Sequence, residues 1–368
     1  MKTLIKKMRK GGSACGSVNK VWRLSRLAAG CALLGVSALA IADVSEDSKE
    51  LDGKINVVVY GGTLGKFWTE SLIKPFQEET GVKVGSVDSL TMQTLARLRA
   101  TKDNPELSVV SFDPPGAFPA ADQGLLKEID QERVPNMADV YDWGQAKDGK
   151  LVAIFGDNAC LAYNTNQIQD PPTSWEDMWN PDYAGKVVLP DISTSHGIMT
   201  IMIASKMNTP DEDLYNAEKG LEKLQTLRPN LLTYWSNHDQ MASLLNSEQA
   251  WLGPWVVDRA LTQKKRGAPI DCVVPEEGGI AFGSFAGIPA NAENVDAAYA
   301  YLNAFISPEF QTQQAAEANL SPSNKHARIE EDDKPYIAPD RSSLIHPDWD
   351  IVNAKADEWT TLWNQQMQ

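Results

Sequence analysis

The amino-acid sequence predicts an α/β fold of two lobes, with a hinge and a ligand cleft between them. Three observations support this prediction. Short β-branched runs alternate with helical patterns, the 368-residue chain stays long enough for two cores after an export segment of 42 residues is removed, and strand-like runs return near its end. Alternating strands and helices predict mostly parallel sheets covered by helices, and a chain of this length can bury two cores.

Residues 1–42 have the layout of a secretory signal peptide. They hold eight of the 34 basic residues and no acidic residue, and an apolar run extends from Leu27 to Ala42. Ala40 and Ala42 are small residues of the kind that a signal peptidase accepts, which predicts cleavage near Ala42. A membrane anchor is the alternative, but the run is short for a span of roughly 20 residues. Cys31 is not expected to carry a lipid, because the apolar run follows this cysteine.

The charge balance excludes two classes of partner. The whole chain has a formal net charge of −15. Removal of the eight basic residues in 1–42 would make it −23. A strongly negative surface repels phosphate backbones and anionic lipid. The sequence therefore predicts no nucleic-acid partner and no role on a membrane surface.

Residues 55–158 are predicted to begin lobe 1 as three strand–helix units. The predicted strands are Ile55–Tyr60, Val82–Val84 and Leu107–Phe112. They are followed by a helix that ends at Gly81, by helix Met92–Lys102, and by the breakers Pro114, Pro115 and Gly116. Strand–helix units in series favour a parallel sheet.

Residues 159–279 are predicted to form lobe 2, and residues 280–330 to return to lobe 1. Extended chain at 151–155 of lobe 1 passes into lobe 2 at 160–163. Strand Lys186–Leu189, a helix from near Ser193 and a long helix Asp211–Leu227 follow there. Extended chain at Ile280–Ile288 and helix Asn294–Ala318 complete lobe 1, and 331–368 is predicted to pack on the lobes as a C-terminal helical segment. Ligands of α/β sheets bind beyond the carboxyl ends of strands, so loops that follow strands are the candidate binding loops.

The loop after the first strand contains the candidates Gly62 and Thr63. A phosphate-binding loop is excluded, because Tyr60 stands where that motif needs glycine and Phe67 where it needs a hydroxyl residue. Glycines still allow backbone amides to approach a ligand, and Thr63 adds a hydroxyl. A plain tight turn is the alternative.

Ser193, Thr194, Ser195 and His196 follow a predicted strand and begin a helix. Hydroxyls and free amides at this position can hold a polar or anionic group. Helix capping by one hydroxyl is the alternative. A secreted hydrolase that uses Ser195 and His196 is a further alternative, disfavoured because adjacent residues on one helical turn rarely align as nucleophile and base.

Trp235 and Trp255 are candidate aromatic walls, because each lies near residues typical of chain ends at a cleft. Aromatic faces bind flat or cationic groups, and core packing is the alternative. Cys160 and Cys272 lie in separate strand-like runs. Export favours a disulfide between them, with two buried thiols as the alternative.

Several motifs, in order along the chain, resemble one family. They are the F-x-x-E-T-G pattern at 76–81, the segment Thr173–Pro181, the run Val274–Gly279 and the run Ile288–Ala292. Together they resemble ABC-transporter solute-binding proteins of the spermidine/putrescine type. The resemblance implies a type II periplasmic-binding-protein fold whose lobes close on a solute in the periplasm. It also implies an inner-membrane permease with an ATPase as partners, a monomer, and no cofactor.

The resemblance does not extend to a polyamine ligand. Family members that bind polyamines have an aromatic residue and an aspartate after the E-G-G stretch, where this chain has Ser284 beside Phe285, both candidate binding residues. Hydroxyls at 193–195 likewise replace expected acids. A buried ammonium needs a paired anion, so we expect an amino-acid-derived or ω-amino acid-like solute, with a polyamine as the alternative. Asp113 could meet one amine or form an Asx turn.

No metal is expected either. Ferric-iron binders of related type use two adjacent tyrosines where this chain has only Tyr163. A carrier that reports its solute to a chemosensory receptor is an alternative to transport.

Overall fold

The computed structural model describes residues 51, 53–339 and 341–367. The predicted signal peptide at 1–42 and its cleavage site lie outside the described residues. The described strands are β1 (Lys54–Val59), β2 (Lys83–Asp88), β3 (Val110–Phe112), β4 (Leu126–Lys127), β5 (Gln145–Ala146), β6 (Leu151–Asn164), β7 (Val187–Pro190), β8 (Leu231–Trp235), β9 (Leu252–Val256), β10 (Ile270–Val273) and β11 (Ala281–Pro289).

The α-helices pack on these strands, and short 3₁₀ turns connect several of them. The helices are α1 (Gly62–Trp68), α2 (Lys74–Thr80), α3 (Thr91–Ala100), α4 (Pro114–Asp122), α5 (Ser195–Asn208), α6 (Ala217–Gln225), α7 (His238–Asn246), α8 (Val257–Lys265), α9 (Val295–Phe305), α10 (Pro308–Ala318), α11 (Lys334–Ile337) and α12 (Trp349–Gln366). A π-helical segment, Thr69–Ile73, joins α1 to α2. Within the described residues, no helix is both long and apolar enough to cross a membrane.

The first strand–helix units form as predicted. β1 and β2 pair in parallel, with Val57 opposite Ser86, and Val57 also bridges in parallel to Val109. Gly81 ends α2 with φ +75°, a left-handed conformation that glycine adopts without strain.

The larger sheet joins the two halves of the chain through β6. Its main strand order is β3-β11-β6-β9-β7-β8. The sequence predicts two extended runs around 151–163, whereas the structure has one buried strand, Leu151–Asn164. The intervening Gly156 and Asp157 have little strand propensity. They remain extended because they pair with Gly283 and Phe282 of β11.

Three predicted helices differ in extent. The long helix Asp211–Leu227 is wrong, because Asn216 caps α6 by accepting from the amide of Lys219. The single helix Asn294–Ala318 is two helices, since Ser307 caps α10 and Pro308 occupies its first turn. The helix predicted from near Ser193 begins at Ser195.

Buried apolar side chains form separate groups on either side of the crossing strands. One group joins the end of β6 to α5–α8 and includes Trp349, Trp359 and Trp363 of α12. A second group joins β1, α1 and α9 to the start of β6. A third group joins β3 and α4 to the start of β6. We therefore propose lobe 1 as 55–158 plus 280–330 and lobe 2 as 159–279. The C-terminal segment packs on both, since Asn353 of α12 also donates to the carbonyl of Pro114 on α4.

Candidate functional site

Four side chains from both lobes form one hydrogen-bonded cluster. The Tyr60 hydroxyl donates to Asp113 Oδ1 at 3.0 Å and lies 2.6 Å from Ser284 Oγ. Ser195 Oγ, at the start of α5 in lobe 2, donates to Asp113 Oδ2 at 3.2 Å. Asp113 follows β3 of lobe 1, so this last bond crosses the cleft. The structure thus brings the predicted site residues Asp113, Ser195 and Ser284 together.

Burial dominates the electrostatics of this cluster. It raises the pKa of Asp113, and hydrogen bonds from Tyr60 and Ser195 oppose the rise. Burial, followed by the charge of Asp113, raises the pKa of Tyr60 well above its ordinary value. Tyr60 is therefore a neutral donor, and the Tyr60 and Ser195 hydroxyls hold the Asp113 carboxyl in place.

Aromatic rings line the lobe 2 side of the same region. The His196 ring lies 5.5 Å from Trp235, 5.0 Å from His238 and 6.1 Å from Phe282, measured between centroids. Trp255 Nε1 donates to His238 Nδ1 at 2.9 Å. Phe282 belongs to the crossing strand β11, so this wall adjoins the hinge.

Two polar atoms in this wall have no hydrogen-bond partner. They are His196 Nδ1 and Trp235 Nε1, both buried. Burial, and secondarily the charge of Arg259, lowers the pKa of His196 to about 4, so the ring is neutral near pH 7. A buried polar atom without a partner costs about 1–3 kcal/mol. Such atoms beside a cleft mark where a bound molecule would supply the missing partner.

Two carboxyl groups meet at the hinge end of the wall. Asp157 of β6 and Asp258 of α8 each lie two residues beyond the Ala159–Val256 pair of β6 and β9, and Arg259 Nε lies 3.2 Å from Asp258 Oδ2. Burial raises the pKa of Asp157 well above its ordinary value and also raises that of Asp258.

A crevice of about 40 Å³ separates the lobes beside this pair. Thr63, Leu64 and Phe67 of α1 form its lobe 1 side, and residues of α7 and α8 form its lobe 2 side. A second cavity, of about 200 Å³, lies against the crossing strands and the C-terminal segment, and Tyr141, Trp143 and Asn158 are among its lining residues. The hydroxyl cluster lines neither space.

Some predicted site residues lie elsewhere. Ser193 is exposed and its amide donates to Asp191 Oδ1, whereas Thr194 caps α5 by accepting from the amide of Gly197. These contacts agree with the capping alternative for this segment. Phe285 packs in the lobe 1 core, 5.6 Å from Phe118, because successive side chains of β11 point to opposite faces.

Gly62 begins α1 with φ +70° and lies at the surface. Trp235 and Trp255 are each 1% exposed and meet His238 in the wall.

The sequence reasoning missed several residues of the site. Phe282 could have been found, because strand alternation places it on the same face as Ser284. Tyr60 was considered only as a departure from a phosphate-loop motif, although it ends a strand at the cleft. No local sequence pattern indicated Asp157 and Asp258, since the two residues are 101 positions apart in the sequence.

The expected disulfide is absent from the structure, in which Cys160 and Cys272 are free, buried thiols. The register pairs Cys272 with Ala162, so Cys160 is its diagonal neighbour and not its partner. Burial raises the pKa of the Cys160 thiol, and its interaction with the neighbouring Cys272 thiol raises it further. Among the described residues, no group of three or more His, Cys, Asp or Glu side chains is arranged to hold a metal ion.

Comparison with known proteins agrees with this geometry. The chain is 26% identical over 322 residues to spermidine/putrescine-binding periplasmic protein 1 of Haemophilus influenzae, covering 83% of this chain and 88% of that one. It is 27% identical over 353 residues to the spermidine/putrescine-binding periplasmic protein of Escherichia coli, covering 92% and 93%.

Solved structures show the same fold. An ABC transporter substrate-binding protein from Bradyrhizobium japonicum superposes with a TM-score of 0.74 at 20% identity, covering 86% of this chain and all of that one. The fold is the two-lobed type II periplasmic-binding-protein fold. The family model described as bacterial extracellular solute-binding protein matches residues 104–355, more than half of the chain. The chain therefore belongs to the bacterial extracellular solute-binding protein family.

Proposed function

We propose that this protein binds a small solute with a carboxylate at one end and an amine at the other, such as an ω-amino acid. As a member of its family it is the periplasmic solute-binding component of an ABC importer and works with a membrane permease and ATPase. The proposal concerns which solute the lobes enclose.

The unpartnered N–H of Trp235 carries the choice of a carboxylate. An indole nitrogen is a donor only, so the bound solute must present an acceptor. Protonated amines have donors and no acceptor. A diamine or polyamine would therefore leave Trp235 Nε1 unpaired, whereas a carboxylate would accept from it, with His196 Nδ1 beside it as a second contact.

Asp113 supports an amine at the other end. Its carboxylate lies in the cleft between the lobes, and burial makes an opposite charge favourable there. An ammonium could take the place of the Ser195 hydroxyl as the cross-cleft donor. Tyr60 and Ser284 would keep Asp113 oriented. This arrangement uses one carboxylate, in agreement with a solute that has one amine.

The remaining parts of the proposal concern processing and partners. We infer cleavage near Ala42, a monomer, no cofactor and no nucleic-acid partner, the last from the acidic composition. We also infer that the protein is not a hydrolase. Ser195 donates to Asp113, and His196 Nδ1 has no partner, so the two do not form a nucleophile–base pair.

A matched pair of solutes tests the proposal. 4-Aminobutyrate and putrescine share a four-carbon chain and one amine. At the other end, 4-aminobutyrate has a carboxylate, whereas putrescine has a second ammonium group. Calorimetric titration of the mature protein with both, and with longer and shorter ω-amino acids, should give tighter binding for an ω-amino acid. Saturating binding of putrescine or spermidine, with none of the ω-amino acids, would establish the polyamine alternative instead.

Substitution of Asp113 assigns the amine end. Asp113→Asn removes the charge and keeps the shape, and should weaken the preferred ω-amino acid by roughly tenfold or more, since a charged hydrogen bond contributes about 1.5–3 kcal/mol. Asp103→Asn is the control, because Asp103 is exposed in the turn after α3 and lines neither space. Equal affinity in both variants would contradict the role of Asp113.

A further inference from the structure

Asp157 and Asp258 form a buried pair of acids whose geometry is not explained by solute recognition at Asp113 and Trp235. Asp157 is 8% exposed and Asp258 is 5% exposed. Both acids lie two residues beyond the Ala159–Val256 pair of β6 and β9, where the two chain segments still run side by side. Two carboxylates that meet away from water repel strongly, so such a pair keeps one proton between its oxygens.

The surroundings supply one cation for two acids. Arg259 Nε lies 3.2 Å from Asp258 Oδ2. On the other side of the pair, the neutral backbone amide of Asn158 donates to Asp157 Oδ1 at 2.8 Å. One positive charge balances one carboxylate, and the second acid remains neutral only by holding a proton.

Neighbouring titratable groups do not provide a second cation. Burial lowers the pKa of His196 to about 4 and that of His238 well below its ordinary value, and Arg259 lowers both further. Burial raises the pKa of the Cys160 thiol, which lies on the same strand as Asp157. Asp239 and Glu317, on the rim of the adjoining crevice, are exposed and carry the same sign as the pair.

The pair lies where opening of the lobes would hydrate it. Asp157 belongs to the crossing strand β6, and Asp258 lines the interlobe crevice. Thr63, Leu64 and Phe67 of lobe 1 close the other side of that crevice. Separation of the lobes would widen the crevice and admit water to Asp258, which lowers the cost of ionising both acids.

We propose that closure of the lobes takes up one proton, which Asp157 and Asp258 hold between them. This rests on the proposed function only in that the lobes open and close. The sign follows from linkage. A carboxyl whose pKa is higher in the closed form favours that form as pH falls from above its raised pKa toward the ordinary carboxyl range near 4. Below that range both forms are protonated and the effect ends.

The test uses the protein without any solute. Small-angle scattering of the mature protein from about pH 8 to about pH 5 should show a fall in the radius of gyration as the closed form gains population. Asp157→Asn should show the compact value throughout, because the introduced side-chain amide would donate to Asp258 as the protonated acid does. Asp103→Asn, exposed in the turn after α3, should follow the native profile.

A second measurement keeps the test independent of any one variant. The free energy of urea unfolding of the native protein should fall as pH rises through the raised pKa of the pair, and both Asp157→Asn and Asp258→Asn should flatten that fall. A radius of gyration that does not change with pH in the native protein, or that changes equally in Asp157→Asn, would overturn the proposal. Neither measurement depends on an ω-amino acid, so failure of the solute assignment would be seen separately.

Discussion

At the scale of single residues, Trp235 and Trp255 differ in one hydrogen bond. Both lie at or near the ends of strands in the same sheet, and both are 1% exposed. Trp255 donates to His238 Nδ1, whereas Trp235 Nε1 has no partner. The N–H of Trp255 therefore contributes a hydrogen bond to the fold, whereas the N–H of Trp235 is an unpaired buried donor.

Replacement of each tryptophan by phenylalanine should reveal that difference. Both changes remove similar ring volume, but Trp255→Phe also breaks a bond and leaves the His238 acceptor unpaired. We expect Trp255→Phe to lose about 1–2 kcal/mol more unfolding free energy than Trp235→Phe in urea titrations. For binding of the preferred carboxylate solute we expect the opposite order, in which Trp235→Phe loses more affinity than Trp255→Phe.

Equal stability of the two variants would contradict the assignment of partners. Equal affinity for a carboxylate solute would contradict the role of Trp235 in binding it.

Residue types predicted much of this site. Hydroxyls after a strand indicated Ser195, whose side chain meets Asp113 in the structure. Phe285 faces the lobe 1 core, because side chains in a strand alternate between faces, and Phe282 shares the face of Ser284. The contact between Asp157 and Asp258 depends on how a helix packs on the hinge, which no local pattern encodes.

At the scale of elements, the register of β10 on β6 decides the state of the two thiols. Cys272 pairs with Ala162, which places Cys160 two positions along the neighbouring strand. Both cysteines are buried, and burial raises the pKa of Cys160 well above its ordinary value. The thiolate is the reactive form in disulfide exchange, so the folded pair should resist oxidation.

We expect two free thiols in the exported protein. Alkylation in denaturant without a reductant, followed by intact mass measurement, should add two labels, and alkylation of the folded protein should add none. A mass two labels short until reductant is added would show a bridge and contradict the prediction.

Strand positions were easier to predict than helix ends. The β-branched run at β1 and the buried β7 are dense local signals. Pro308 was not recognised as the first turn of a new helix, and the capping by Asn216 was not recognised either. Both errors joined segments that a capping residue separates.

At the scale of the whole molecule, motion between the lobes must pass through the crossing strands. Gly156 of β6 pairs directly with Gly283 of β11, and the Trp143 ring lies over both. A side chain on Gly156 would meet Trp143 Cη2 at 3.0 Å and Ser321 Cβ at 3.5 Å. Ser321 is itself bridged to Gly156, so three chain segments meet at this point.

Gly156→Ala should therefore impair the hinge as well as stability. Alanine restricts the unfolded chain, which alone would stabilise by about 0.4–1 kcal/mol. Overpacking costs about 1–3 kcal/mol, and we expect it to dominate because an indole ring between neighbouring strands cannot move aside easily.

A double variant tests the role of Trp143. Trp143→Leu also costs stability, but combined with Gly156→Ala the losses of unfolding free energy in urea should be less than additive, since the smaller side chain makes room for the new methyl group. Additive losses would show that Trp143 does not restrict this position, and unchanged solute affinity in Gly156→Ala would show that the lobes close without bending at the glycine pair.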